Sequence, residues 1–189
     1  MSLISMIAID PIVTQRAARS VINAISFPGR ISPPGTTSVD VALKAFAPTG
    51  ARVYVAPADA DLGIALTSGC TRAPLAEAGF VIALAGELPT LLPCTPRGSL
   101  NHPEDGALVF AEVEALSATP LPGMVGLEAS GPGVPKVQRF WVQRLPVATV
   151  TARAEANSEF PMGIDLILIA KDGAMVGLPR STQLKLVEA

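Results

Sequence analysis

Two apolar runs of strand length, Met162–Ala170 (MGIDLILIA) and Ala174–Leu178 (AMVGL), stand on either side of Lys171-Asp172-Gly173. An Asp-Gly pair between two β-type runs is a strong short-range hairpin signal, because glycine accepts the positive φ that tight turns need. The segment therefore commits this part of the chain to paired strands. With a two- or four-residue loop, Ile169 faces Val176, Ile167 faces Leu178 and Asp165 faces Arg180. A three-residue loop shifts the register by one and separates the last pair. In the even-loop register Asp165 and Arg180 are cross-strand neighbours on one face. An exposed pair of this kind stabilises by only about 0–1 kcal/mol, whereas removing one partner of a buried pair costs about 3–5 kcal/mol. The first reading of the pair is a structural ion bridge. The second is an anion or partner contact by Arg180, oriented by Asp165.

Gly79–Ala85 (GFVIALA) is a continuous apolar run of strand length, as expected where a sheet is covered on both faces. Ala51–Ala56 alternates and is rich in β-formers, so it predicts a strand. Gly106–Leu116 predicts another, with Leu108, Phe110 and Glu112 on one face, and Met124–Val134 a third that ends in a Gly-Pro-Gly turn. Helices are expected over Thr14–Ser26, with Thr14 as cap and Ala18, Val21, Ile22 and Ile25 as the apolar stripe. Further helices are expected over Val39–Ala47, from Asp59 or Asp61 through Thr67, and over Pro146–Asn157, which has proline in its first turn. Met1–Val13 reads as an extended segment or strand, and Leu88–Pro103, with four prolines, as irregular. The order is mixed, without repeats or a long linker. It predicts a single compact α/β domain over 1–189, with a mixed sheet flanked by helices.

Composition narrows the function. Hydrophobic residues make up 49% and charged residues 16% of the 189, so a packed core is expected. Gly (16) and Pro (18) are abundant, which predicts much loop between short elements. The net charge of −2 comes with no basic block, which argues against a broad nucleic-acid face. No apolar run approaches the ~18 residues of a membrane span. The N-terminus lacks the basic region of a signal peptide. Two cysteines, Cys70 and Cys94, form no close metal-type pair and read as small apolar fillers of a cytoplasmic protein.

Few residues carry recognisable chemistry. His102 is the single histidine, in Asn101-His102-Pro103-Glu104-Asp105. It is a candidate contact residue, although a loop histidine before proline has no second ligand at helical spacing to make a metal site. No serine or cysteine nucleophile stands in an elbow to complete a triad. Ser130–Val134 (SGPGV) is able to present backbone amides to a phosphate through Gly131 and Gly133, but it lacks the Lys-Ser/Thr of a Walker loop and reads first as a turn. Of the lysines, Lys171 and Lys185 read as solvated, and Lys44 and Lys136 lie in no cofactor motif. No catalytic residue, metal or cofactor is assigned.

Four segments in order resemble the PhnH family, a subunit of the bacterial carbon–phosphorus lyase system for phosphonate use. They are Gln15–Arg30 (QRAARSVINAISFPGR), Gly98–Leu116 (GSLNHPEDGALVFAEVEAL), Leu127–Val134 (LEASGPGV) and Phe160–Thr182 (FPMGIDLILIAKDGAMVGLPRST). The last is the most specific. Val39–Pro57 departs from the family pattern. The resemblance implies a fold similar to the large domain of PLP-dependent transferases without the cofactor. It implies a homodimer that joins PhnG, PhnI and PhnJ subunits in a core complex. That assembly makes ribose 1-alkylphosphonate 5-triphosphate from ATP and an alkylphosphonate, and the resemblance implies an accessory, non-catalytic part in it. The other reading is a stand-alone small enzyme or binding protein for a phosphorylated or phosphonate metabolite, with Arg180, His102 and the Gly-Pro-Gly turn at its site.

Overall fold

The apolar runs form the centre of a six-stranded sheet in the computed structural model, which describes residues 10–57 and 69–187. Its strands are β1 (Arg52–Ala56), β2 (Thr71–Arg72), β3 (Phe80–Leu84), β4 (Leu108–Val113), β8 (Asp165–Ala170) and β9 (Met175–Leu178). The remaining strands are β5 (Leu116–Ser117), β6 (Met124–Ser130), β7 (Gln138–Gln143) and β10 (Gln183–Leu186). The large sheet has the order β2-β1-β3-β4-β8-β9. It is parallel except for β9, which runs antiparallel to β8. The others make an antiparallel sheet in the order β10-β6-β7-β5.

Helices α1 (Pro11–Ser26) and α2 (Val39–Phe46) cover one face of the large sheet. Val21, Ala24, Val39, Ala42 and Leu43 pack there on Val53, Val55, Ile82, Phe110, Ile167 and Ile169. The opposite face, which carries Val81, Val109, Ala111, Leu166 and Leu168, meets the second sheet through Leu127, Ala129, Phe140 and Val142. The short α3 (Leu88–Leu91) and α4 (Ala148–Ala156) complete that layer. Strands buried on both faces explain the unbroken apolar runs. The mixed sheet with flanking helices is present, but one face is covered in part by strands rather than by helices. The expected strand Gly106–Leu116 divides between the sheets as β4 and β5, and β7 and β10 stand where no strand was expected.

Several local expectations need correction. Asp10, not Thr14, caps α1, its Oδ1 accepting the Ile12 N–H at 2.8 Å, and Pro11 occupies the first turn. The extended reading of Met1–Val13 therefore fails over Pro11–Val13, and residues 1–9 lie outside the described residues, as does the helix expected from Asp59 or Asp61 to Thr67. The buried stripe of α1 is Ala17, Val21 and Ala24, while Ile22 is exposed. Small residues win because the helix lies directly on β9, where a Cβ on Gly177 would collide with the Ala24 carbonyl. Cys94 is exposed and Cys70 half-buried, so Cys94 is not a core filler.

The hairpin loop has three residues, Lys171–Gly173, closed by Ala170 N–H to Ala174 O at 2.8 Å, with Gly173 at φ 80°. A three-residue loop with a left-handed glycine is the common alternative to the two-residue turn. Ile169 thus faces Met175 and Ile167 faces Gly177, not Val176 and Leu178. The free edge of β9 is covered by the chain after α1: Gly29 and Ser32 donate N–H groups to the Gly177 and Met175 carbonyls at 3.1 and 2.9 Å. Gly177→Ala should lower stability by about 1–3 kcal/mol through overpacking, read as a lower midpoint in chemical denaturation. An unchanged midpoint would contradict the close seating of α1 on β9.

Candidate functional site

Between β9 and β10 the chain leaves the large sheet and enters the small one within four residues, Pro179–Thr182. A crossing of this kind removes carbonyls from the strand ladder while they remain inside the protein, and buried carbonyls need donors. Two arginines provide them. Arg153, on the inner face of α4 and 2% exposed, donates Nη1 to Thr182 O at 2.7 Å and Nη2 to Leu178 O and Pro179 O at 3.0 and 2.6 Å. Burial pushes its guanidinium down to about 10, and the charge of Asp165 pulls it back up, so it stays charged at neutral pH.

Arg180, inside the crossing, anchors it from the other side. Asp165 accepts the Arg180 backbone N–H at Oδ1 (2.8 Å), Nη2 at Oδ2 (2.8 Å) and Nε at Oδ1 (3.4 Å). Arg180 Nη1 also donates to Pro103 O at 2.5 Å and Pro161 O at 3.3 Å. The pair is mostly buried, at 16% exposure for Arg180 and 28% for Asp165. Gly106 makes room for it. A Cβ there would collide with the Gly163 carbonyl and stand 2.9 Å from Arg180 Nη1. The two charges meet despite the odd loop, because Arg180 lies beyond the β8–β9 ladder and Pro179 turns the chain back toward the start of β8. Register alone therefore did not decide the contact.

Of the other sequence candidates, only Gly131 touches the same crossing. Gly131 sits against it, since a Cβ there would lie 2.8 Å from Ser181 O. Gly133 faces Pro28 instead, at φ 77°. The His102 ring is exposed, with Nδ1 3.3 Å from Glu104 Oε1, and only its neighbour Pro103 reaches Arg180. Arg153 escaped the sequence reading. Its signal was positional: Thr149, Ala152, Arg153 and Ala156 recur at i, i+3, i+4 and i+7, and they are the buried face of α4. Among the described residues no three His, Cys, Asp or Glu side chains cluster as for a metal.

Among the described residues, Arg180 lines a larger and a smaller hollow. The larger, about 840 Å³, opens at the amino ends of β3, β4 and β8, and its walls include Glu77, Glu104, Asp105, Asp165, Arg97 and Arg180. Carboxylates outnumber arginines there, which disfavours an anionic ligand. The smaller, about 280 Å³, lies between α4 and β10, with Arg153, Asn157, Arg180, Thr182 and Lys185 in its wall.

These features define an α/β protein of two stacked sheets whose connecting strand-to-strand crossing is held by buried arginines, with a cationic hollow beside it. The chain belongs to the PhnH family: the family model described as "Bacterial phosphonate metabolism protein (PhnH)" matches residues 8–185. The chain is also 34% identical over 179 residues to a protein of Stutzerimonas stutzeri described as "Putative C-P lyase subunit protein HtxG", covering 91% of this chain and 86% of that one.

Arg180→Ala leaves Asp165 largely buried and unpaired. A loss of about 1–3 kcal/mol is expected, between the exposed and buried limits for ion pairs. Arg180→Lys should recover only part of it, since an ammonium cannot reproduce the two-pronged contact. Urea denaturation of both variants checks this, and equal stability of Arg180→Lys and wild type would contradict it.

Proposed function

We propose that this chain is an accessory subunit of a carbon–phosphorus lyase core complex in phosphonate breakdown. The observation that carries the reading is the family match across residues 8–185, strengthened by the relative described as a C-P lyase subunit. The geometry agrees with a supporting part. Arg180 and Asp165, the most prominent charges of the signature segment, are committed to each other and to backbone, Arg180 donating to a carbonyl and Asp165 accepting an N–H. In that capacity the chain assembles as a homodimer, joins PhnG, PhnI and PhnJ subunits in the cytoplasm, and supports formation of ribose 1-alkylphosphonate 5-triphosphate without supplying the catalytic groups. A mostly parallel sheet with helices packed on it supports a likeness to the large domain of PLP-dependent transferases. No described helix is long and apolar enough to cross a membrane.

Co-expression with tagged PhnI, PhnG and PhnJ tests the proposal. The chain is expected to be retained in fixed ratio with all three through affinity and size-exclusion steps. A chain that folds, yet elutes alone, would overturn it and favour the stand-alone binding protein.

A further inference from the structure

Arg153 is a buried cation with no anion of its own, since Asp165, whose charge acts on it, is paired with Arg180. It forms no ion pair among the described residues, and its three hydrogen bonds all go to neutral carbonyls. A charge taken out of water is normally matched by an opposite charge. Among the described residues its Nε has no partner, nor do Asn157 Nδ2 and Thr182 Oγ1. All three residues line the hollow between α4 and β10, together with Arg180 and Lys185. Among the described residues no carboxylate stands in that wall, and Asp165, which offsets Arg180, belongs to the wall of the acidic cleft instead.

We propose that this hollow is a binding site for a tetrahedral oxyanion of the phosphate or phosphonate type. Arg153 Nε, Asn157 Nδ2 and Thr182 Oγ1, which are covered from solvent just behind the wall, supply directional donors to its oxygens once their side chains turn toward the hollow, and Lys185 supplies a mobile positive charge at the rim. Charge-assisted hydrogen bonds of this kind are the strong ones. A volume of about 280 Å³ admits such an ion with a small substituent and accompanying water, at about 30 Å³ for each water in the liquid. The site goes beyond membership of the complex and does not depend on it, because it is formed within one chain.

The test is calorimetric titration and thermal shift of the isolated full chain with inorganic phosphate and with methylphosphonate, against sodium chloride at matched ionic strength. Saturable binding and a raised melting temperature are expected with at least one of them. Either order of affinity supports the site, and the order tells which source fills it. Asn157→Asp keeps the oxygen that accepts the Ile164 N–H at 2.7 Å but puts a carboxylate in the hollow. It should fold, melt higher than wild type without ligand because Arg153 gains a counter-charge, and bind about tenfold or more weakly. Lys185→Gln should weaken binding several-fold with no change in the unliganded melting temperature. No saturable binding of either ion would overturn the proposal, as would binding that Asn157→Asp leaves unchanged.

Discussion

The Arg153 guanidinium, set beneath the crossing from β9 to β10, is the interaction on which the architecture turns. Two stacked sheets in one chain require the backbone to pass from one to the other, and each direct passage interrupts a ladder. At Pro179–Thr182 the passage is too short for a turn to satisfy all its own carbonyls. The Thr182 N–H bonds back to Pro179 O at 2.8 Å, and Arg153 takes up Leu178, Pro179 and Thr182. A neutral side chain at this position has too few donors. A lysine is a point charge without the planar fork that spans three carbonyls.

Arg180 binds the same crossing to the start of β8 and to the loops at Pro103 and Pro161. The large sheet, the Pro-rich loop and the segment before β8 are thereby tied to one residue. At Gly106 and Gly131 other backbone comes too close for a side chain, and at Gly163 the Asn157 side chain does. The family signature in Phe160–Thr182 has a physical meaning in these terms. It is the part of the chain that fastens one sheet to the other.

Much of the fold was legible from apolar runs, because β1, β3, β4 and β8 are buried and pattern alone marks them. β7 was not, since only Phe140 and Val142 of its six residues are fully buried and, apart from the half-buried Trp141, the rest are polar. The face of α1 was misread because large apolar residues suggest a core face, whereas close seating over Gly177 selects alanines. The meeting of Asp165 and Arg180 was legible, but for the wrong reason: loop length sets the ladder register, and the contact lies outside the ladder. Arg153 was missed because its role depends on which carbonyls a distant segment leaves unpaired, which no local pattern records. The cationic hollow depends on that same residue, so neither was visible in the sequence.

The arginine clasp makes a local claim, and hydrogen–deuterium exchange of Arg153→Met tests it most directly. Methionine keeps the apolar stem in its place and removes the donors. Amides of Thr182 and of β10 should exchange markedly faster, while those of β3 and β4 keep wild-type protection. Unchanged protection across Thr182–Leu186, or an equal rise throughout both sheets, would contradict a clasp that specifically holds the crossing.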